Sequence, residues 1–136
     1  MSFPNDYYVI KHLRSNKIVS RHVVEDRSLL PKRVLVLPDG VADIHNLQWL
    51  FESLGSGNYH LSNRGGTASV INDNIYGNIL PSQGNDVWQF RPGPGSNVYQ
   101  IINSDGVNWT VPNTDDFSQV ATSPSPDFFV ITPCLE

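Results

Sequence analysis

The chain has a single cysteine, Cys134, so no intrachain disulfide can brace it and the fold must rest on its core. It contains no run of 18 apolar residues, which excludes a membrane-spanning helix. The opening segment Met1-Ser2-Phe3-Pro4-Asn5-Asp6 has neither the basic nor the apolar stretch of a secretory signal, and cytoplasmic residence is the expectation. No window of a dozen residues sustains an apolar period of 3.6, so almost no helix is expected. The four histidines (His12, His22, His45, His60) stand at spacings that match no metal motif. No nucleophile-elbow, phosphate-loop or dinucleotide-binding signature occurs. Cys134 reads as a buried, inert thiol in a closing strand, and Asp115-Asp116 as a solvated turn. With no acid, base and pocket assembled, the chain reads as a binder and not an enzyme, with no metal and no cofactor.

What is present is a pattern repeated three times. Each copy opens on an aromatic-led strand around Tyr8, Tyr59 and Tyr99, and closes on Trp49, Trp88 and Phe129. One such unit cannot bury its own apolar face and must pack on its copies. The repeats run over roughly 6–54, 57–93 and 97–134 in a single domain spanning 1–136. Gly and Pro number ten each, which supplies turns for many short strands. Twelve strands in three units of four predict an all-β, closed or nearly closed barrel without exposed edges.

The copies differ in length. From opening Tyr to closing aromatic they span 41, 29 and 30 residues. Taking Val19, Val70 and Val111 as second-strand anchors and Val36, Ile79 and Val120 as third-strand anchors places about eight extra residues between the second and third strands of copy one. That connector runs from Arg21 to Arg33. A smaller insertion, Pro38 to Asn46, follows the third strand. Charge is uneven as well: residues 1–33 hold seven of the nine basic residues against three acids, and the remainder holds two against ten. A basic first copy on an acidic body steers acidic partners. The net charge of −4, without a dense basic face, argues against nucleic acid.

The run Glu25-Asp26-Arg27-Ser28-Leu29-Leu30-Pro31-Lys32-Arg33-Val34, followed by Leu37-Pro38, resembles the β-trefoil serine protease inhibitors of mushroom-forming fungi. Tyr7-Tyr8-Val9-Ile10 and the closers Trp49 and Trp88 fit the same family. The resemblance implies a β-trefoil, a six-stranded barrel capped by three hairpins. It also implies a protein–protein inhibitory role, with the connector between the second and third strands entering a protease; a monomer is expected. Related trefoils inhibit cysteine proteases through other loops, and some block legumain with an Asn in the matching loop of copy two, which makes Asn72 a second candidate.

A trypsin-like pocket has an Asp at its base and takes Arg or Lys. The candidate protease-binding residues are therefore Asp26, Arg27, Ser28, Leu29, Leu30, Pro31, Lys32 and Arg33, with three cations among them. Arg27 is favoured because it stands farthest from the strands. Pro31 biases Leu30 toward the extended shape a protease cleft reads. The bland alternative has Arg27 paired with Glu25 or Asp26, and Leu29 and Leu30 tucked against the barrel. The rival function is glycan binding, since trefoils also serve as lectins, but the Gln-x-Trp motif of ricin-type lectins is missing from all three closers.

Overall fold

The computed structural model describes residues 3–80 and 85–134. Among them are twelve strands: β1 (Asp6–His12), β2 (Ile18–Arg21), β3 (Lys32–Leu37), β4 (Trp49–Gly55), β5 (Asn58–Asn63), β6 (Gly66–Ile71), β7 (Asn74–Asn78), β8 (Gln89–Pro92), β9 (Val98–Ile102), β10 (Asn108–Thr110), β11 (Ala121–Ser123) and β12 (Phe129–Pro133). The one helical element among these residues is a single 3-10 turn, Ile44–Asn46, in the smaller insertion of copy one, capped by the Asp43 side chain.

Six strands close into a ring. β1 pairs with β4, β4 with β5, β8 with β9, β9 with β12, and β12 with β1. A bridge between Tyr59 and Trp88 joins the β5 edge to the β8 edge. The hairpins β2–β3, β6–β7 and β10–β11 cap one end and are tied to each other by β3–β7, β7–β11 and a Leu35–Gln119 bridge. This is the β-trefoil. At the other end Phe3 packs edge-on against Tyr8, Tyr59 and Tyr99.

The barrel anchors hold the expected register: Tyr8, Tyr59 and Tyr99 face Trp49, Trp88 and Phe129. The cap anchors do not. Ile75 N–H donates to Val120 O (2.9 Å) and Val120 N–H to Val34 O (2.8 Å), so Val34, Ile75 and Val120 are the equivalent trio. Val19 stands opposite Val36, Ala68 opposite Gly77, and Trp109 opposite Thr122. Val70 and Ile79 are only half-buried, and Ile79 lies beyond the end of β7. A two-residue offset keeps the same face of a strand inward, so counting β-branched residues cannot detect it. In the true register the connector from second to third strand spans 15 residues in copy one (Val19 to Val34), 7 in copy two (Ala68 to Ile75) and 11 in copy three (Trp109 to Val120). Copy one carries the long insertion, and copy three carries a second, shorter one over residues 112–119.

The core exchanges volume between copies. Trp49 and Trp88 donate their indole N–H groups to Val19 O (2.8 Å) and Ala68 O (2.9 Å), over small second-strand side chains. Copy three has Phe129 as closer and places its indole, Trp109, on the second strand instead. Trp109 packs edge-on against Trp49, Trp88 and Phe129. Cys134 follows β12, outside the closing strand, and is half-buried where full burial was expected. Asn108, which opens the glycosylation-type sequon Asn108-Trp109-Thr110, is buried in β10.

His12 and Asp127 join copies one and three. Buried His12 meets Asp127 Oδ2 through Nε2 (3.0 Å) and Ser15 Oγ through Nδ1 (2.8 Å). Asp127 also accepts the N–H groups of Val111 and Phe128, each at 2.9 Å. Burial pushes its pKa up, but the hydrogen bonds from His12 and the two amides outweigh burial and hold it at about 2, against an ordinary 3.8. A lowered folded-state value contributes stability that is complete above the ordinary value and is lost as pH falls through the folded one. The urea midpoint is expected to fall as pH drops from 3.8 toward 2. Asp127→Asn should make that fall shallower.

Candidate functional site

The copy-one insertion is rooted on copy two by Arg21, the last residue of β2. In the repeat register Arg21 occupies the position of Val70 and Val111, so an arginine stands where an apolar side chain is usual. It is 5% exposed. Its Nη1 donates to Asn63 O (2.7 Å) and Arg64 O (3.1 Å). Its Nε and Nη2 grip Glu25 in a bidentate pair at 3.2 and 2.7 Å. The guanidinium stem crosses two glycines: a Cβ at Gly77 would meet Arg21 Cδ at 2.9 Å, and one at Gly66 would meet Nη1 at 3.1 Å. Arg64 adds a bond from Nη2 to His22 O (2.7 Å). Burial, then the neighbouring Arg21, lowers the pKa of Arg64.

The far end of the insertion is closed by Lys32. Its Nζ, on a residue only 6% exposed, reaches Asp26 Oδ1 (2.5 Å), Asp26 O (3.1 Å) and Ser28 Oγ (3.3 Å). Asp26 Oδ1 also accepts Ser28 N–H (2.9 Å) and the Ser28 hydroxyl, and Ser28 Oγ accepts Leu30 N–H (3.3 Å). The hydrogen bond from Lys32, followed by those from Ser28, holds the Asp26 pKa well below the carboxylate range. The clamp therefore stays charged in mild acid. Lys32→Met keeps the buried stem and removes the ammonium. Its charge-assisted bonds to Asp26 and Ser28 are lost with it, so the Ser28 and Leu30 amides should exchange with solvent roughly tenfold faster in that variant.

The clamp sorts the three cations. Lys32 is an internal support and not a free contact residue. The side chains of Arg27 and Arg33 are exposed and, among the described residues, have no hydrogen-bond or ion-pair partner. Arg27 is thus not paired with Glu25 or Asp26. Leu29 and Leu30 are 60% and 66% exposed, so they do not form a satellite core. The chain bends through residues 27–30 instead of running straight into Pro31, because the Asp26–Lys32 contact draws the two ends of the segment together.

Asn72 sits elsewhere on the cap. Asn72 and Asp73 form a two-residue turn between paired Ile71 and Asn74, with φ of 50° and 63°. Asn is favoured there for backbone reasons alone. Asp116 is paired with Lys17 Nζ at 2.9 Å, so Asp115-Asp116 is not simply a solvated turn. Among the described residues no three His, Cys, Asp or Glu side chains converge on a point suited to a metal, and no helix is long and apolar enough to cross a membrane.

Residues 1–127 match the peptidase inhibitor I66 family. The chain belongs to that family. It is 38% identical over 100 residues to a serine protease inhibitor of Lentinula edodes, an overlap covering 72% of this chain and 68% of that protein. A proteinase inhibitor from Coprinopsis cinerea superposes with a TM-score of 0.85 at 26% identity, covering 98% of this chain and all of that one. A designed three-fold symmetric protein, ThreeFoil, superposes at 0.75 with 23% identity, covering 94% and 99% of the two chains, which bears on the fold alone. The family and these fungal relatives are protease inhibitors, not enzymes.

The supporting residues Arg21, Glu25, Asn63 and Arg64 were not singled out from sequence. One signal was available: in the correct repeat register an arginine falls on an inward position that holds valine in the other copies.

Proposed function

We propose that this chain inhibits a trypsin-like serine protease by presenting the Arg21–Arg33 loop to the active site, with Arg27 entering the specificity pocket. The observation that carries this reading is the contrast within the loop. Arg27 is exposed and unpaired, whereas Arg21 and Lys32 on either side are buried and spent on holding the backbone. A pocket with an Asp at its base attracts such a cation. A segment already held by salt bridges loses little conformational entropy on docking. A cleaved loop whose ends stay clamped would be held in place for re-ligation.

Legumain inhibition through Asn72 has weaker support, since a tight turn with two positive φ values favours Asn for backbone reasons alone. Glycan binding gains nothing from the closing aromatics, because Trp49, Trp88 and Phe129 are wholly buried.

The test is a titration of trypsin, chymotrypsin, papain and legumain with the purified protein, beside a glycan array. Trypsin is then retitrated with Arg27→Ala, Lys32→Ala and Arg33→Ala. Trypsin inhibition that depends on Arg27 is the expected result. Dependence on Arg33 alone would keep the loop and change the residue. If no loop substitution matters, the reading fails.

A further inference from the structure

Exposed apolar surface concentrates beside the Arg27 loop. Val24, Leu29 and Leu30 on the copy-one insertion are 77%, 60% and 66% exposed, and Phe117 on the copy-three insertion is 41% exposed. These are four of the ten large hydrophobic side chains exposed among the described residues. They lie on the two connectors that are longer than the repeat requires.

Phe117 is unusual in its backbone. It has a φ of +66°, a conformation that costs energy for any residue with a Cβ. Eight described non-glycine residues have positive φ, and Phe117 alone among them is apolar; five of the other seven are Asn or Asp. Asn or Gly would serve this turn with less strain, so folding of the loop does not by itself explain the aromatic.

Copy one holds the strained turn in place. Phe117 N–H donates to Val36 O (2.8 Å), and Val36 N–H donates to Ser118 O (2.9 Å). Lys17 Nζ pairs with Asp116 and donates to Thr114 O, and Arg14 Nη2 donates to Val111 O (3.1 Å). The Phe117 ring stacks on His22 at 5.1 Å with an interplanar angle of 29°. His22 Nδ1 accepts Val24 N–H at 2.9 Å. Phe117, His22 and Val24 therefore form one continuous edge running into the Arg27 loop.

We propose that Phe117, together with Val24, is a second contact for the protease that Arg27 enters. It packs on apolar surface at the rim of the active-site cleft and selects among proteases that share the same cation-reading pocket. This rests on the loop reading above. The occupant is the protease rim because the edge is continuous with the proposed pocket-entering loop, and because copy-one cations pin the copy-three turn against the base of that loop.

Phe117→Asn removes the ring and suits the left-handed backbone. It should raise the inhibition constant against trypsin about tenfold, the usual scale for losing an aromatic interface anchor, with an unchanged or higher melting temperature. Phe117→Trp should retain inhibition. Because Trp49, Trp88 and Trp109 are all buried, the new indole is the solvent-facing one among the described positions. Its acrylamide quenching should fall when catalytically inactive trypsin is added, relative to the same mixture with the unsubstituted protein. Unchanged quenching means that the ring acts only by propping His22 and the loop, and this overturns the contact. Unaltered inhibition by Phe117→Asn overturns it too. Should Arg27→Ala abolish inhibition while Phe117→Asn leaves it intact, the second contact alone falls. Should Arg27→Ala also be silent, both readings fall together.

Discussion

Arg27→Ala is expected to weaken trypsin inhibition by well over tenfold and Arg27→Glu to abolish it, while neither shifts the melting temperature by more than about 2 °C. Truncating an anchor at a protease interface costs on the order of 2–8 kcal/mol. The stability side of the prediction follows from the environment of Arg27: it is exposed and has no partner to lose, and such surface substitutions usually stay within about 0.5 kcal/mol. Arg27→Lys should keep most of the inhibition, because an acidic pocket base accepts either cation. Arg27→Glu sets like charges against each other in a desolvated pocket. Lys32→Ala is the informative control. It should also weaken inhibition, but together with stability and loop protection, because its ammonium is bonded to Asp26 and Ser28 and not offered outward. The inhibition constant and the melting temperature, measured on the same four variants, separate a contact residue from a supporting one.

The three-fold barrel was legible because it depends on large residues at the opening and closing strands, where Tyr8, Tyr59, Tyr99 and Trp49, Trp88, Phe129 are conspicuous. The cap was less so. Its inward positions accept residues as small as Ala68 and Gly77, and volume lost in one copy is restored by Trp109 in another. An anchor count based on β-branched residues therefore slid by two to four positions, at the third strand of copy one, both strands of copy two and the second strand of copy three. The long insertion survived this slip because its excess exceeds the register error; the four-residue excess in copy three did not survive it and was missed. Within the candidate loop the exposed position of Arg27 was legible from its distance to the strands. The role of Lys32 was not, since whether a lysine beside a strand points out or folds back onto Asp26 depends on where the loop closes. Arg21 was hidden for a related reason: beyond the nearby Glu25 carboxylate, a buried arginine requires two carbonyls and a glycine-lined path, which distant segments supply.

The largest stability effect is expected from the aromatic closers. Trp88→Ala should lower unfolding free energy by about 3–5 kcal/mol, read as a shift in denaturant midpoint at constant slope. Trp88 is fully buried, packs against Trp109, and donates its indole N–H to Ala68 O at 2.9 Å. Two milder variants separate packing from hydrogen bonding. Trp88→Phe loses part of the ring and the bond to Ala68. Trp109→Phe loses the same volume, but the buried Trp109 Nε1 has no hydrogen-bond partner among the described residues. An unpaired buried donor costs about 1–3 kcal/mol, so removing it offsets part of the cavity left behind. Trp109→Phe should therefore be milder than Trp88→Phe by about 1 kcal/mol. A larger cost for Trp109→Phe would mean that the central position of this ring, in contact with Trp49, Trp88 and Phe129 together, outweighs its unsatisfied N–H. In either case the closers lie in the barrel and the clamp residues on the cap. Trp88→Ala, assayed where it is still folded, should thus inhibit trypsin nearly as well as the parent protein, because the Asp26–Lys32 clamp that sets the loop does not pass through Trp88.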